Sequence, residues 1–408
     1  MSDSRFHIVV YGATSFVGQI LAQYLYDRHG ENGDLKWAMA GRSESKLKQV
    51  REQIGASALP LVVADASDEA ALRSMCDSAD VIISTVGPYA LYGSTLVKIC
   101  AETGTDYCDL TGEVQWIRRM IAEHEKTAQK SGARIVHCCG FDSIPSDLGV
   151  HFLQREARER FGKPCTRVKT RVKAMRGGMS GGTVASLMNV MKEVKSNPAL
   201  RKELANPYSL CVDRPTAGMR QPNVKFAEYD KDAKSWLAPF IMAGINTRIV
   251  HRTNALTGNG YGGELVYDEA MMMGDGIKGS ATAAAFSSAM GAFLAGAVIP
   301  PTRVLLEKFV VPKPGEGPSP KEQKEGFWDY RIIGISGDGQ KITAKVTGDR
   351  DPGYGSTAKM LGEAGVCLAS DISKSTVKGG FWTPASIFGD KLIERMTAHA
   401  GLTFEILG

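Results

Sequence analysis

Two patterns of hydrophobic and polar positions divide the chain. Through the first 140 residues, short apolar runs alternate with amphipathic segments of helical period. The apolar runs are HIVVYG, KWAMAG, LPLVVAD, ADVIISTVG, TDYCDLTG and ARIVHCCG. Runs that are apolar throughout predict strands buried on both faces, as in a parallel sheet with helices on each side. With right-handed crossovers, the pattern predicts an α/β fold with an N-terminal Rossmann, doubly wound parallel sheet.

A different pattern begins after about Pro145. The segment TRVKTRVKA, residues 166–174, alternates strictly and predicts a half-exposed strand. Residues 327–349 predict a β-hairpin with a Gly-Asp-Gly turn. Residues 311–326 are rich in Pro, Gly and Lys and predict a surface loop. The middle of the chain therefore predicts an α+β region with a mainly antiparallel sheet, and the tail returns to a helical pattern.

Composition adds limits on the kind of protein. The chain has 408 residues, 43% hydrophobic and 23% charged, which predicts a soluble globular protein of two domains. A net charge of +5 does not by itself indicate nucleic acid, and we expect none to bind. The eight cysteines form no Cys-x-x-Cys pair, so we predict reduced thiols and no metal site. A strand that begins almost at the first residue leaves no room for a signal peptide, which favours the cytoplasm.

One segment, residues 279–302, carries no charge and is about as long as a membrane span. It is rich in Ala, Ser and Gly, and two prolines close it. We therefore favour a helix near residues 281–298 in the core or at a homodimer interface. Peripheral membrane contact and a true membrane span remain the alternatives. Small residues that allow close helix approach recur at every fourth position: Ala284, Ser288, Ala292 and Gly296.

The first strand leads into a glycine-rich turn, VVYGATSFVGQI, residues 9–20. A dinucleotide-binding turn uses one glycine for the tight turn, one for approach of the pyrophosphate and one for helix packing. Here the first and last positions are glycine, whereas the middle position is a serine whose hydroxyl can donate to a phosphate. The helix that follows would direct free N–H groups at the same phosphates. The predicted contacts are Gly12, Ala13, Thr14, Ser15, Phe16, Val17 and Gly18.

The second strand indicates which dinucleotide binds. An NAD site places an acid at the end of this strand, but the sequence there is AMAGRSESKLK. Arg42 can pair with a 2′-phosphate, with Ser43 and Lys46 nearby, so we predict NADP. Loops after two later strands supply further predicted cofactor contacts, namely Asp65, Ala66, Thr85, Val86, Gly87 and Pro88.

Several motifs together resemble the saccharopine dehydrogenase-like oxidoreductases. The most specific is VGPYALYGSTLVKICAETGTDYCDLTGE, residues 86–113, and VYGATSFVG, AGRSESKL and CCGFDSIPSDLG add to it. SGGT, DPGYGSTAKM and GGFWTPASIFGDKL extend the likeness along the chain. The chain is most similar to the branch with the trans-acting enoyl reductases of lipid and polyketide assembly. Ser15 departs from the family pattern, which usually has glycine there.

The resemblance implies a domain organisation. Residues 1–145 would form an NADP-binding Rossmann domain. Residues 146–349 would form an inserted α+β domain for substrate binding or dimerisation. Residues 350–408 would form C-terminal helices that return to the Rossmann domain.

The reaction implied is hydride transfer from NADPH to a conjugated double bond or an imine, which leaves a negative centre that needs a proton. Tyr89 and Asp142 are the candidate catalytic residues. Tyr89 has packing of its loop as a competing role, and Asp142 or Ser143 has capping of the next helix. Tyr107, Cys108 and Asp109 can line the same crevice, whereas His137 fits a satisfied core residue better than a base.

Two functions remain open at this point. The first is an NADP-dependent reductase of the enoyl or imine type that acts on an apolar, lipid- or polyketide-related small molecule. The second is a non-catalytic NADP-binding protein associated with a lipid surface, which would place the cytoplasmic protein at a membrane.

A basic strand bears on the substrate. Arg167, Lys169, Arg171 and Lys173 fall on one face of it, and Arg176 follows. We favour a solvated basic face over an anchor for a phosphopantetheine, an acyl carrier or an anionic lipid.

Overall fold

The computed structural model describes residues 5–177, 181–212, 218–299, 302 and 317–407. Seven parallel strands form the first sheet, in the order β13-β6-β5-β4-β1-β2-β3. They are β1 Phe6–Tyr11, β2 Trp37–Gly41, β3 Leu61–Val63, β4 Ala79–Ser84, β5 Asp106–Asp109, β6 Arg134–Val136 and β13 Gly380–Trp382. The six apolar runs of the first 140 residues supply β1 to β6, so the predicted doubly wound sheet is confirmed.

Helices connect these strands on both faces. They are α1 Phe16–His29, α2 Glu44–Gln53, α3 Glu69–Asp77, α4 Tyr89–Tyr92, α5 Ser94–Thr103 and α6 Val114–Ser131. A side chain at Gly93, between α4 and α5, would lie 2.8 Å from the ring of Trp116. The glycine therefore lets α6 pack closely where the loop after β4 ends.

A second sheet of seven strands follows α7, Ile144–Phe161, in the order β14-β12-β11-β7-β10-β9-β8. Its strands are β7 Cys165–Arg176, β8 Glu228–Asp230, β9 Ser235–Pro239, β10 Val266–Met272, β11 Phe327–Ser336, β12 Lys341–Gly348 and β14 Leu402–Leu407. The pair β7–β10 is parallel and the other pairs are antiparallel. The mainly antiparallel sheet and the β11–β12 hairpin agree with the sequence pattern.

The remaining helices surround the second sheet or close the chain. They are α8 Gly181–Ser196, α9 Ala199–Ala205, α10 Ala243–Leu256, α11 Gly276–Val298, α12 Pro320–Glu325, α13 Thr357–Ser370, α14 Pro384–Phe388 and α15 Asp390–Arg395, with π-helical turns at Pro352–Ser356 and Met396–Ala400. Residues 311–326 were predicted to be a loop throughout, but α12 lies within them. Ser319 and Glu322 form a capping box that starts this helix. Ser180 of the SGGT motif and residues 311–316 lie outside the described residues.

The tail contributes more than the predicted helices. Strand β13 pairs with β6 at the edge of the first sheet, and β14 pairs with β12 of the second sheet. The tail therefore contacts both sheets. Division of the chain into domains at residues 145 and 349 remains a prediction.

Helix α11 holds most of the charge-free segment, and by length and composition Gly276–Ala297 could cross a membrane. Only 17% of its apolar stretch is buried, so a helix enclosed in the core of one chain is the wrong interpretation. The buried positions are Gly279, Ala283, Ser287 and Ala297. In the predicted small-residue stripe, Ser288 and Ala292 are exposed, and Ala284 and Gly296 are half-buried.

Candidate cofactor and proton-donor site

The glycine-rich turn joins β1 to α1 at the carboxyl edge of the first sheet. Gly12 has a φ of +91°, and a side chain there would lie 2.6 Å from Thr85 Oγ1 and 2.7 Å from Val86 Cγ2. A side chain at Gly18 would lie 2.2 Å from the carbonyl oxygen of Gly12. Both glycines are therefore needed for close packing. The turn, with the N-terminus of α1, suits the pyrophosphate of a dinucleotide.

Ser15 fixes this turn from inside. Its hydroxyl accepts a hydrogen bond from the Gly18 N–H at 3.0 Å and caps α1. It also lies 3.0 Å from the hydroxyl of Thr85, which donates to the Gly12 carbonyl at 2.9 Å. The Ser15 proton is thus left for Thr85 or for a ligand oxygen. Contact between Ser15 and a phosphate stays a prediction.

The predicted adenosine contacts meet at the ends of β2 and β3. Arg42 is exposed, and its charge lowers the pKa of Asp65, although hydrogen bonds from Ser67 lower that pKa more. Ser43 caps α2 by accepting from the Lys46 N–H at 3.4 Å. None of the described residues forms a hydrogen bond or ion pair with Arg42, so its guanidinium is open to a 2′-phosphate.

Tyr89 is the first residue of α4, directly after the loop that follows β4. It is buried, and its hydroxyl donates to the Ser84 carbonyl at 3.0 Å. Burial, and then the charge of Asp109, raise its pKa well above the ordinary value. The ring also packs 5.4 Å from that of Trp116. This geometry favours the packing role, and the catalytic role of Tyr89 remains a prediction.

Asp142 lies at the turn between β6 and α7 and is 9% exposed. Side chains built at Gly140 and Gly112 would lie 3.0 and 3.7 Å from its carboxyl oxygens. Burial, and to a smaller extent the charge of Asp109, raise the pKa of Asp142 to about 7. No other side chain or N–H of the described residues donates to this carboxyl. The carboxyl can therefore carry a proton at neutral pH and deliver it to a neighbouring group.

Ser143 is the N-cap residue of α7, as predicted, but its side chain forms no capping hydrogen bond. Its hydroxyl donates instead to Asn246 Oδ1 at 3.0 Å. The amide of Asn246 in turn donates to Ser146 and to Glu269, at 3.1 and 2.8 Å. These buried contacts hold the start of α7, and with it the turn that carries Asp142, against the second sheet.

Asp109, at the end of β5, is fully buried and has four partners within the chain. It accepts from the Tyr107 hydroxyl at 2.9 Å, from the N–H groups of Thr111 and Cys138 at 3.1 and 3.2 Å, and pairs with His137 Nδ1 at 2.7 Å. His137 Nε2 has no hydrogen-bond partner in the described chain. His137 is therefore a core residue as predicted, but only one of its nitrogens is satisfied.

The segment DPGYGST, residues 351–357, adds a part of the site that the sequence did not assign. The ring of Tyr354 packs edge-on against Phe16 of the glycine-rich turn, with centroids 4.7 Å apart. Thr357 Oγ1 accepts from the N–H of Phe141, next to Asp142, at 3.1 Å. The motif was visible in the sequence, but its neighbours lie more than 200 residues away.

The basic strand β7 is a solvated face only in part, because Lys173 and Arg176 are exposed but the cations before them are not. Arg171 is 2% exposed and pairs with Asp230 and Asp268, and Lys169 pairs with Asp230 at 3.0 Å. Burial alone would raise the pKa of Asp230, but Arg171 and Lys169 lower it to about 2. Arg171 and Lys169 thus share Asp230 as an acidic partner. This pairing argues against an anchor for an anionic substrate at either residue.

Comparisons with known proteins agree with this arrangement. The family model for the saccharopine dehydrogenase NADP binding domain matches residues 8–136. A putative trans-acting enoyl reductase of Mycobacterium tuberculosis is 41% identical over 413 residues, 98% of this chain and 97% of that protein. A trans-acting enoyl reductase of Mycobacterium ulcerans is 39% identical over 408 residues, 97% of this chain and 96% of that protein.

A solved structure shares the fold. Apo saccharopine dehydrogenase (L-Glu forming) from Saccharomyces cerevisiae aligns over 98% of this chain and 99% of that chain, with a TM-score of 0.55 and 12% identity. The family resemblance and the NADP cofactor inferred from the sequence are both confirmed. The chain belongs to the saccharopine dehydrogenase-like family, in the branch with the trans-acting enoyl reductases, and it is an NADP-dependent reductase.

Proposed function

We propose that the protein reduces the double bond of an enoyl thioester whose acyl chain is apolar and lipid- or polyketide-related. The observation that carries this proposal is Asp142, a buried carboxyl with a pKa raised to about 7 and no donor from another described residue. Reduction of a conjugated double bond needs a proton donor, and a donor whose pKa lies near the operating pH is the most effective. The names of the relatives support the same choice of substrate over an imine.

NADPH supplies the hydride when it is bound. Residues Gly12–Gly18 would bind its pyrophosphate, and Arg42 would bind its 2′-phosphate. Protonated Asp142 would give its proton to the substrate carbon that gains negative charge, and the resulting carboxylate would regain a proton from solvent. Asp142 suits this role better than Tyr89, because the Tyr89 proton is bound by the Ser84 carbonyl.

Helix α11 supports a proposal about partners. The helix has no charged residue from position 279 onward, and Ile277 in its first turn and Ile299 just after its end are 90% and 51% exposed. We propose that the exposed face of this helix joins two copies in a cytoplasmic homodimer, and that peripheral membrane contact is the competing use. Sedimentation of the purified protein would show a dimer. Flotation with liposomes of the purified protein, or a monomer throughout, would contradict the homodimer.

The activity test follows NADPH oxidation with N-acetylcysteamine thioesters of enoyl chains of increasing length. We expect turnover that improves with chain length, and a saturated product by mass spectrometry. Asp142→Asn should lower kcat by about 10²–10⁴-fold while NADPH still binds.

Asp147 supplies a matched control. It is also a buried aspartate whose pKa is raised to about 7, mainly by burial, but it accepts from Thr253 and from the Ala385 N–H. Asp147→Asn should lower stability and leave kcat near the wild-type value. NADPH binding without oxidation of any thioester, together with flotation on liposomes, would instead support the non-catalytic lipid-surface protein.

A further inference from the structure

Glu113, the last residue of the DLTGE motif, is a buried carboxylate that lies outside the proposed reaction path. It is fully buried, and Oε1 accepts from the Tyr89 N–H at 2.7 Å while Oε2 accepts from the Ala90 N–H at 3.0 Å. The hydroxyl of Ser186 donates to Oε1 at 2.9 Å. Burial raises the pKa of Glu113, and the three donors counter that rise.

The loop that Glu113 holds is the one that contacts the cofactor turn. Thr85 donates to the Gly12 carbonyl, and a side chain at Gly12 would meet both Thr85 and Val86. Thr85 and Val86 precede the held residues by only three to five positions. A shift at Ala90 would therefore be transmitted to the groups that pack on the glycine-rich turn.

Ser186 belongs to α8, which follows the first strand of the second sheet. The first N–H of α8, on Gly181, donates to the Tyr354 hydroxyl at 2.9 Å. The Tyr354 ring packs on Phe16 of the glycine-rich turn. Helix α8 is thus connected to the cofactor side at two points, one through Tyr354 and one through Glu113.

We infer that Glu113 and Ser186 are positioning residues, which couple the loop facing the cofactor to α8 of the second-sheet region. Within the described chain, neither side chain forms a hydrogen bond with a predicted cofactor contact. Their effect on the reaction would come from the alignment of that loop, since a displacement of about 1 Å can cost about 100-fold in rate. The coupling itself rests on the NADP-binding function and does not require that the substrate be an enoyl thioester.

Hydrogen–deuterium exchange with and without NADPH tests the coupling without any substrate. In the wild type, NADPH should slow exchange at residues 12–18, at 85–92 and at α8. Ser186→Ala should keep the first two effects and lose the effect on the part of α8 around residue 186, whereas the Gly181 end keeps its link through Tyr354. Glu113→Gln places an amide donor opposite a backbone N–H, so it should also lose the effect at 85–92, with NADPH affinity within about threefold of wild type.

Glu125 provides the control. Its carboxylate accepts from the N–H of Phe381 at 2.9 Å. Phe381 lies in β13, the edge strand of the first sheet. Glu125→Gln should lower the melting temperature and keep the NADPH effect on all three segments. If NADPH still protects the part of α8 around residue 186 in both Ser186→Ala and Glu113→Gln, the inference is overturned. If Glu113→Gln does not fold, Ser186→Ala alone decides.

Kinetics with the enoyl thioester adds a second readout. Glu113→Gln should lower kcat about tenfold or more with little change in the KM for NADPH, and Ser186→Ala should lower kcat less. An unchanged kcat in Glu113→Gln contradicts the positioning role. Absence of turnover in the wild type would contradict the proposed substrate, while the exchange experiment would still test the coupling.

Discussion

Asp109 ends β5 and Asp142 lies in the turn after the neighbouring strand β6, yet their surroundings differ. Asp109 has four partners within the chain, among them two backbone N–H groups and His137. Asp142 has no such donor from another residue within the described chain, and burial raises its pKa to about 7. The four partners of Asp109 therefore fit a role in holding the architecture, whereas the carboxyl of Asp142 is open to a substrate.

The same distinction applies to the cofactor side. Ser15 is bound within the chain on both sides, to Gly18 and Thr85, whereas Arg42 is exposed and unpaired among the described residues. Groups of the first kind should affect stability when they are replaced. Groups of the second kind should affect ligand binding or turnover.

The largest effect on stability is expected at Asp109. Asp109→Ala should lower the free energy of unfolding by about 3–5 kcal/mol, because His137 and the other donors would be left buried without an acceptor. Urea denaturation measures this loss. A change below about 1 kcal/mol would place Asp109 in the same class as Asp142 and remove the comparison.

Asp142→Asn should raise the free energy of unfolding instead of lowering it. The folded chain keeps the Asp142 proton up to about pH 7, whereas the unfolded chain releases it near pH 4, so the wild type loses stability as pH rises between these values. The asparagine variant avoids this loss. Its free energy of unfolding should exceed that of the wild type by about 2–4 kcal/mol above pH 7, and by almost nothing near pH 4. Denaturation curves across this range would refute the assignment if the difference stayed constant.

Arg42 should affect only the cofactor. Arg42→Ala should weaken NADPH binding by about 1.5–3 kcal/mol and leave NADH binding almost unchanged, because only NADPH carries the 2′-phosphate. Titration calorimetry with both dinucleotides measures the difference. Equal losses for the two would remove the assignment of Arg42.

Replacement of Ser15 by a smaller residue should give the smallest effect. Ser15→Gly should cost only a few tenths of a kcal/mol, as expected for glycine at a helix N-cap, and Ser15→Ala about 1 kcal/mol. Ser15→Leu should abolish NADPH binding by filling the space for the pyrophosphate. Normal NADPH affinity in the leucine variant would show that the phosphates bind elsewhere.

Features set by local sequence were predictable. Gly12 and Gly18 were assigned because their packing roles depend on neighbours within one strand–turn–helix unit. The six strands of the first 140 residues followed from apolar runs, because a parallel sheet buries both faces. The hairpin β11–β12 was predictable from its turn residues, because the two strands are neighbours in the sequence.

Features set by distant contacts were not predictable. The acidic partners of Arg171 lie 59 and 97 residues farther along the chain, so the strand resembled a solvated basic face. The Tyr89 proton is bound by a backbone carbonyl, which side-chain patterns do not show. Strand β13 has only three residues, and it pairs with β6, which lies more than 200 residues earlier in the chain.

The pH dependence of kcat with an enoyl thioester and saturating NADPH tests the central claim most directly. For the wild type, kcat should fall tenfold per pH unit as pH rises above about 7, because deprotonated Asp142 cannot donate. For Asp142→Asn, the residual kcat should be low and should lack this decline. A decline of the same position and slope in Asp142→Asn would assign the proton to another group and contradict the account.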